Sequence, residues 1–99
     1  MAQRKTDGVT AVCRGTLTYV SSVSLGNNGH RVCRLEVDAG GFPMACLAFD
    51  EKAEEASSHR KGDLVEVEGD LEVTRWRLRG GRGHRKTIRL RVNEVRDAR

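Results

Sequence analysis

Aromatic side chains are scarce in this chain: one Trp, one Tyr and two Phe among 99 residues. With 37% of the residues apolar, the interior has to be small and built mostly from Val, Leu and Ala. Cysteine is also sparse. Cys13, Cys33 and Cys46 form no CxxC pair and no His/Cys cluster, which argues against a zinc site, and an odd count of three argues against a disulfide framework. Each falls in a strand pattern, where a free thiol behaves as a small buried hydrophobe, as suits a reducing cytoplasm. No apolar run approaches the roughly twenty residues of a membrane span, and no N-terminal signal-like run is present. Ninety-nine residues suit one core and are too few for two.

What the sequence does have is one long alternation running from Lys61 to Leu78. Val65, Val67, Leu71 and Val73 fall on one face, and Glu66, Glu68, Asp70 and Glu72 on the other. A period of two marks a half-buried antiparallel strand, because successive side chains point to opposite faces. Gly69 interrupts the apolar face, as a glycine does at a bulge or sharp bend. Past Val73 the parity puts Trp76 and Leu78 on the face that had been acidic, so the single indole lies outside the core. Arg75 and Arg77 share the core parity. They therefore sit beyond the rim of a barrel, or on a strand that carries a bulge.

The remaining segments read in order as a polar, flexible N-terminus (1–8), then a strand from Val9 to Val20 with a second bending point at Gly15. Gly26-Asn27-Asn28-Gly29 is a turn. A second strand spans His30 to Ala39, with Cys33, Leu35 and Val37 inward. Gly40-Gly41-Phe42-Pro43 turns into a third strand, Met44 to Phe49. Asp50 to Arg60 reads as the one helix, with Asp50 as N-cap and Lys61-Gly62 as its stop. After the long fourth strand comes a Gly-rich basic loop, Arg79 to Lys86. A fifth strand follows from Thr87 to Val95, with Ile88, Leu90 and Val92 inward. The predicted architecture is all-β: residues 9–99 as a single five-stranded OB-fold barrel, with one short helix between strands 3 and 4.

Charge is unevenly placed. Residues 1–72 carry eight Lys/Arg against twelve Asp/Glu, whereas residues 73–93 carry eight Lys/Arg and no acid. The net charge of +4 thus hides a basic stripe beside an acidic remainder, which points to a polyanionic partner. Arginine dominates the stripe, as suits forked contacts to phosphate and stacking on bases. The glycines at 80, 81 and 83 do not make a phosphate-binding P-loop, since the Lys-Ser/Thr ending and the following helix are missing. His30, His59 and His84 have no metal or triad spacing. No activated nucleophile is visible, so no enzyme and no cofactor is expected.

Over residues 9–95 the sequence resembles the bacterial and phage single-stranded DNA-binding proteins. The resemblance rests on Gly15-Thr16-Leu17-Thr18, on Leu47-Ala48-Phe49-Asp50-Glu51-Lys52-Ala53-Glu54, and above all on Lys61-Gly62-Asp63-Leu64-Val65-Glu66-Val67-Glu68-Gly69-Asp70-Leu71 followed by Trp76. It implies base stacking at Trp76 and Phe49. The family's long hairpin between strands 2 and 3 is replaced here by Gly40-Gly41-Phe42-Pro43, with Phe42 a partial substitute for its stacking residues. Its Gly/Pro/Gln-rich tail with an acidic tip is absent, since the sequence ends Arg96-Asp97-Ala98-Arg99. A compact, tailless form is similar to the dimeric primosomal single-strand binders, or to a phage or plasmid variant.

The expected function is sequence-tolerant binding of single-stranded DNA in replication, recombination or repair. The nucleic-acid-binding residues are expected to be Trp76, Phe49, Phe42, Arg34, Arg75, Arg77, Arg79, Arg82, Arg85, Lys86, Arg89 and Arg91. Tyr19 fits packing and binding equally well. The chain is expected to form a homodimer or homotetramer, to meet replication proteins as partners, and to have no membrane role. Two other readings stand beside this one: a protein–protein adaptor docking through the acids around Glu54, Glu66 and Glu68, and a binder of single-stranded RNA, whose stacking and phosphate contacts are the same.

Overall fold

The computed structural model describes residues 9–77 and 84–99, and for 74–77 and 84–86 the backbone only. The flexible terminus expected for 1–8, and Leu78, Arg79 and Arg82 of the basic loop, lie outside the described residues. Six strands and one helix follow in order: β1 (Thr10–Val20), β2 (Ser24–Leu25), β3 (Arg31–Ala39), β4 (Phe42–Phe49), α1 (Glu51–Ser57), β5 (Leu64–Arg77) and β6 (His84–Asp97). Their sheet order is β1-β5-β6-β4-β3-β2, and an additional β1–β3 pairing closes the five long strands into a barrel. The helix lies between the third and fourth long strands, so this is the expected OB-fold barrel. The two-residue β2 was not anticipated. It is held to β3 by a turn in which Gly26 N donates to the His30 carbonyl (2.8 Å) and His30 N to Asn28 Oδ1 (3.1 Å).

Alternation decides the core. Leu17, Cys33, Val37, Ala48, Val65, Val67 and Leu90 are fully buried, joined by Cys13, Leu35, Cys46 and Val92. The three thiols are free and inside, and burial pushes the Cys46 thiol up to about 12, with Cys13 nearby adding to the effect. Packing of α1 on β3, β4 and β6 buries Ala53 and Ala56.

Gly15 and Gly69 face inward where strands cross. A Cβ on Gly15 would lie 2.0 Å from the Asp38 carbonyl oxygen, and one on Gly69 2.0 Å from that of Arg91. Close backbone approach is thus the reason for both glycines. The bulge beside Gly69 is on the partner strand: Glu68 pairs with Glu94 and Gly69 with Val92, which leaves Asn93 as the extra residue. That residue switches the parity of β6 and returns Val95 to the core.

Two expectations need correcting. Val73 and Ile88 are not core residues: they are 54% and 46% exposed. The β1–β5 ladder ends at Thr10↔Asp70, while β5 and β6 go on pairing out to Arg77↔His84. From Val73↔Ile88 outward the two strands form a ribbon past the rim, and among the described residues no third strand pairs with it. The helix is also shorter than expected. It stops at Ser57, and Asp63 N then donates to the Arg60 carbonyl (3.0 Å) as Arg60 N donates to Asp63 Oδ2 (2.9 Å), forming a turn rather than a glycine-capped end. Asp50 stands at the N-cap position but makes no side-chain cap. Its carboxylate accepts instead from Arg31 N (3.2 Å) and bonds His30 Nδ1 (3.0 Å). Slight burial pushes this carboxyl up, and these bonds and the neighbouring charges outweigh it, holding it below the usual carboxylate range.

Candidate nucleic-acid interface

On the outside of the barrel, β3 is flanked by β1 and β4, and β4 runs parallel to β6. Register sorts the outward side chains into rows. Val32 stands opposite Phe49, Arg34 opposite Leu47 with Arg91 beside it on β6, and Tyr19 opposite Glu36 with Ala45 beyond. Phe49 is therefore an outer-face residue and Ala48 the buried one, which alternation alone had left open. The Arg91 guanidinium sits 4.9 Å from the Phe49 ring centroid, a cation–π stack. Arg34, Phe49, Arg89 and Arg91 thus share one face.

Phe42 is not brought to this group. Gly40 (φ +66°) and Gly41 (φ +95°) make a two-residue hairpin of the primed kind, and Phe42 starts β4 directly after it. It lies seven residues from Phe49, about 23 Å along the strand. It is exposed and has the opposite parity.

Beyond the barrel, β5 and β6 run on as a ribbon through the basic part of the sequence. Arg75 pairs with Lys86, Trp76 with Arg85 and Arg77 with His84 in the backbone ladder, which places the indole position opposite an arginine position. Arg79 and Arg82 belong to the undescribed segment between the two ribbon strands.

Sequence reasoning missed Glu72. It accepts from Arg89 Nε at 3.2 Å and faces Arg91 Nη1 at 3.8 Å, so the last acid before the stripe ties two of its arginines in place. Cross-strand register at Glu72↔Arg89 produces this contact, and periodicity within one strand carries no sign of it.

The acidic face of β5 is also less free than its composition suggests. Arg96 bonds Glu66 (3.0 Å), Glu68 (3.5 Å) and Glu94 (2.8 Å), and the Glu66 hydrogen bond leads in raising the pKa of its guanidinium. Glu54 on α1 is held by Arg31 at 2.8 Å. Among the described residues, no three His, Cys, Asp or Glu side chains converge as a metal-binding set, and no helix is long and apolar enough to cross a membrane.

Solved structures share this fold over nearly the whole chain. The SSB domain of a Synechococcus sp. protein aligns with a TM-score of 0.73 at 16% identity, covering 95% of this chain and 99% of that one. The mitochondrial single-stranded DNA binding protein Rim1 of S. cerevisiae aligns with a TM-score of 0.74 at 18% identity, covering 95% and 98%. No protein-family model and no curated protein sequence matches the chain. At these identities the likeness is one of fold.

Proposed function

We propose that this protein binds single-stranded nucleic acid, DNA before RNA, with broad tolerance of sequence and without catalysis. The observation that carries the reading is a basic outer face of the barrel at the root of an acid-free ribbon. Arg91 stacks on Phe49, Arg34 and Arg89 share its outer face, and the acid-free segment 73–93 runs on from there into the β5–β6 ribbon. A strand laid along it meets guanidinium groups for its phosphates and flat side chains for its bases, the combination used for single strands. Both fold neighbours carry single-strand binding in their names, which supports the reading. Such a module serves replication, recombination or repair. The adaptor reading is weaker, because Arg96 and Arg31 already neutralise the acids it would use.

Trp76 tests the proposal. Oligo-dT is expected to quench the intrinsic fluorescence, since the chain has one tryptophan. Trp76→Ala is expected to weaken binding by about 1–3 kcal/mol while the thermal midpoint stays nearly unchanged. Loss of the fold with normal binding by the surviving protein would place Trp76 in the structure and not in the interface.

Self-association belongs to the same proposal. Val9 and Val12, at the start of β1, are 62% and 57% exposed, apolar surface that a second copy would cover. Light scattering at micromolar concentration is expected to give the mass of a dimer or tetramer, and a clean monomer mass would defeat this part.

A further inference from the structure

We infer that the outer face holds a base-reading pocket, formed by Tyr19, Glu36 and Leu47 with Arg34 and Arg89 at its rim, that takes a nucleobase bearing an exocyclic amino group. The inference rests on the single-strand reading above and deepens it, since it names what one part of that interface selects. The pocket is a depression of about 350 Å³ between β1, β3, β4 and β6, with Thr87 completing its wall.

Its construction begins with an irregularity in β1. Leu17 pairs with Val37 and Tyr19 with Glu36, so Thr18 is an extra residue in the ladder. A bulge of this kind re-aims the side chain that follows it. Here it leaves Tyr19 directly opposite Glu36 on the outer face and 52% exposed, a flat ring with no core to fill. The bulge residue also fixes the carboxylate. Thr18 Oγ1 lies 2.9 Å from Glu36 Oε1 and 3.1 Å from the Glu36 carbonyl oxygen. Among the described residues Glu36 forms no ion pair, so its second oxygen remains an acceptor at the mouth of the pocket.

The surroundings indicate the class of ligand. Leu47 gives an apolar floor beside the Tyr19 ring, as a base plane requires. Arg34 and Arg89 stand at the rim, with Arg89 steadied by Glu72, and supply cations for the flanking phosphates. A carboxylate in a groove for polyanions is unfavourable unless it meets a donor. Cytosine presents its N4 amino group to such an acceptor, whereas thymine presents the O4 carbonyl oxygen, which Glu36 repels. The pocket therefore adds a preference for cytosine over thymine to otherwise tolerant binding.

The test is competition between oligo-dC and oligo-dT of about ten nucleotides, a length within the range one such barrel covers, at pH 8 and fixed salt. Wild-type protein is expected to favour oligo-dC about fivefold, the lower end of what a single base contact discriminates. Glu36→Gln is expected to remove that preference, because an amide can turn either a donor or an acceptor toward the base. Tyr19→Ala is expected to weaken both oligomers by at least about fivefold, from lost stacking. Thr18→Val, which removes the hydroxyl that holds Glu36, is expected to reduce the preference for oligo-dC. Equal affinity of wild type for the two oligomers, or a preference that survives Glu36→Gln, overturns the pocket while leaving the single-strand reading intact. Failure of wild type to bind either oligomer overturns that reading, and the pocket with it.

Discussion

Gly69→Ala is expected to lower the thermal midpoint by about 12–24 °C, which corresponds to a loss of about 3 kcal/mol in a domain of this size. The added methyl would stand 2.0 Å from the Arg91 carbonyl oxygen, which is backbone and cannot swing aside. Either β6 moves away from β5 at the Asn93 bulge, or the barrel opens along this seam. Gly15→Ala meets the Asp38 carbonyl oxygen at the same distance and should behave alike. Gly40→Asn is the control. Its φ of +66° is one asparagine tolerates, and no atom lies within 4 Å of the new Cβ, so a change within about 0.5 kcal/mol is expected. Thermal melts of the three variants decide the matter. A Gly69→Ala midpoint within a few degrees of wild type would mean that the close approach is not what fixes glycine there.

Both bending glycines could be read in the sequence, because each breaks an alternation that is otherwise regular. The same alternation placed Cys33, Leu35, Val37, Val65, Val67, Leu90 and Val92 inside, where the structure has them. It failed at Val73 and Ile88 for a definite reason. Periodicity reports which side of a strand a residue occupies, but not how far the neighbouring strands extend, and among the described residues the β1–β5 ladder reaches only to Asp70. The helix end was misplaced because Lys61-Gly62 carries the signature of a stop, while Asp63 closes a turn on Arg60 and takes those residues into the connection to β5.

The site was legible as composition and less so as geometry. An acid-free run of 21 residues, 73–93, is visible on the page, and so is the single tryptophan within it. The contacts that organise the barrel face are not. Arg91 on Phe49, Glu72 between Arg89 and Arg91, and Tyr19 opposite Glu36 each depend on the register between strands distant in sequence. Register in turn depends on the bulges at Thr18 and Asn93, and neither residue type announces a bulge. Phe42 was expected as a partial substitute for stacking residues of a longer hairpin, and the tight Gly40-Gly41 turn places it at the far end of β4 from Phe49.

Reversing the charge at Arg89 and Arg91 is expected to cost single-strand affinity about a hundredfold or more, because each guanidinium gives up a charged hydrogen bond worth about 1.5–3 kcal/mol. Glu72 lies between the two, so reversal alone would gather three carboxylates on one patch of β5 and β6. The reversal is therefore made together with Glu72→Gln, which keeps folding and binding separable. Glu72→Gln alone should act in the opposite direction, freeing both arginines and raising affinity severalfold. Salt dependence gives an independent reading of the same surface. If about half of the eight basic groups meet phosphates, the rule of about −0.7 per contact for single strands gives a log–log slope near −3 per protomer. The slope should become shallower by about 1.4 when Arg89 and Arg91 are reversed, and steeper in Glu72→Gln. An interface built on the acids of β5 and α1 would respond in neither way, since Arg96 and Arg31 hold those acids and no counterions of phosphate are released. A flat plot between low and physiological ionic strength, or wild-type affinity in the reversed variant, would remove the arginine face from the mechanism.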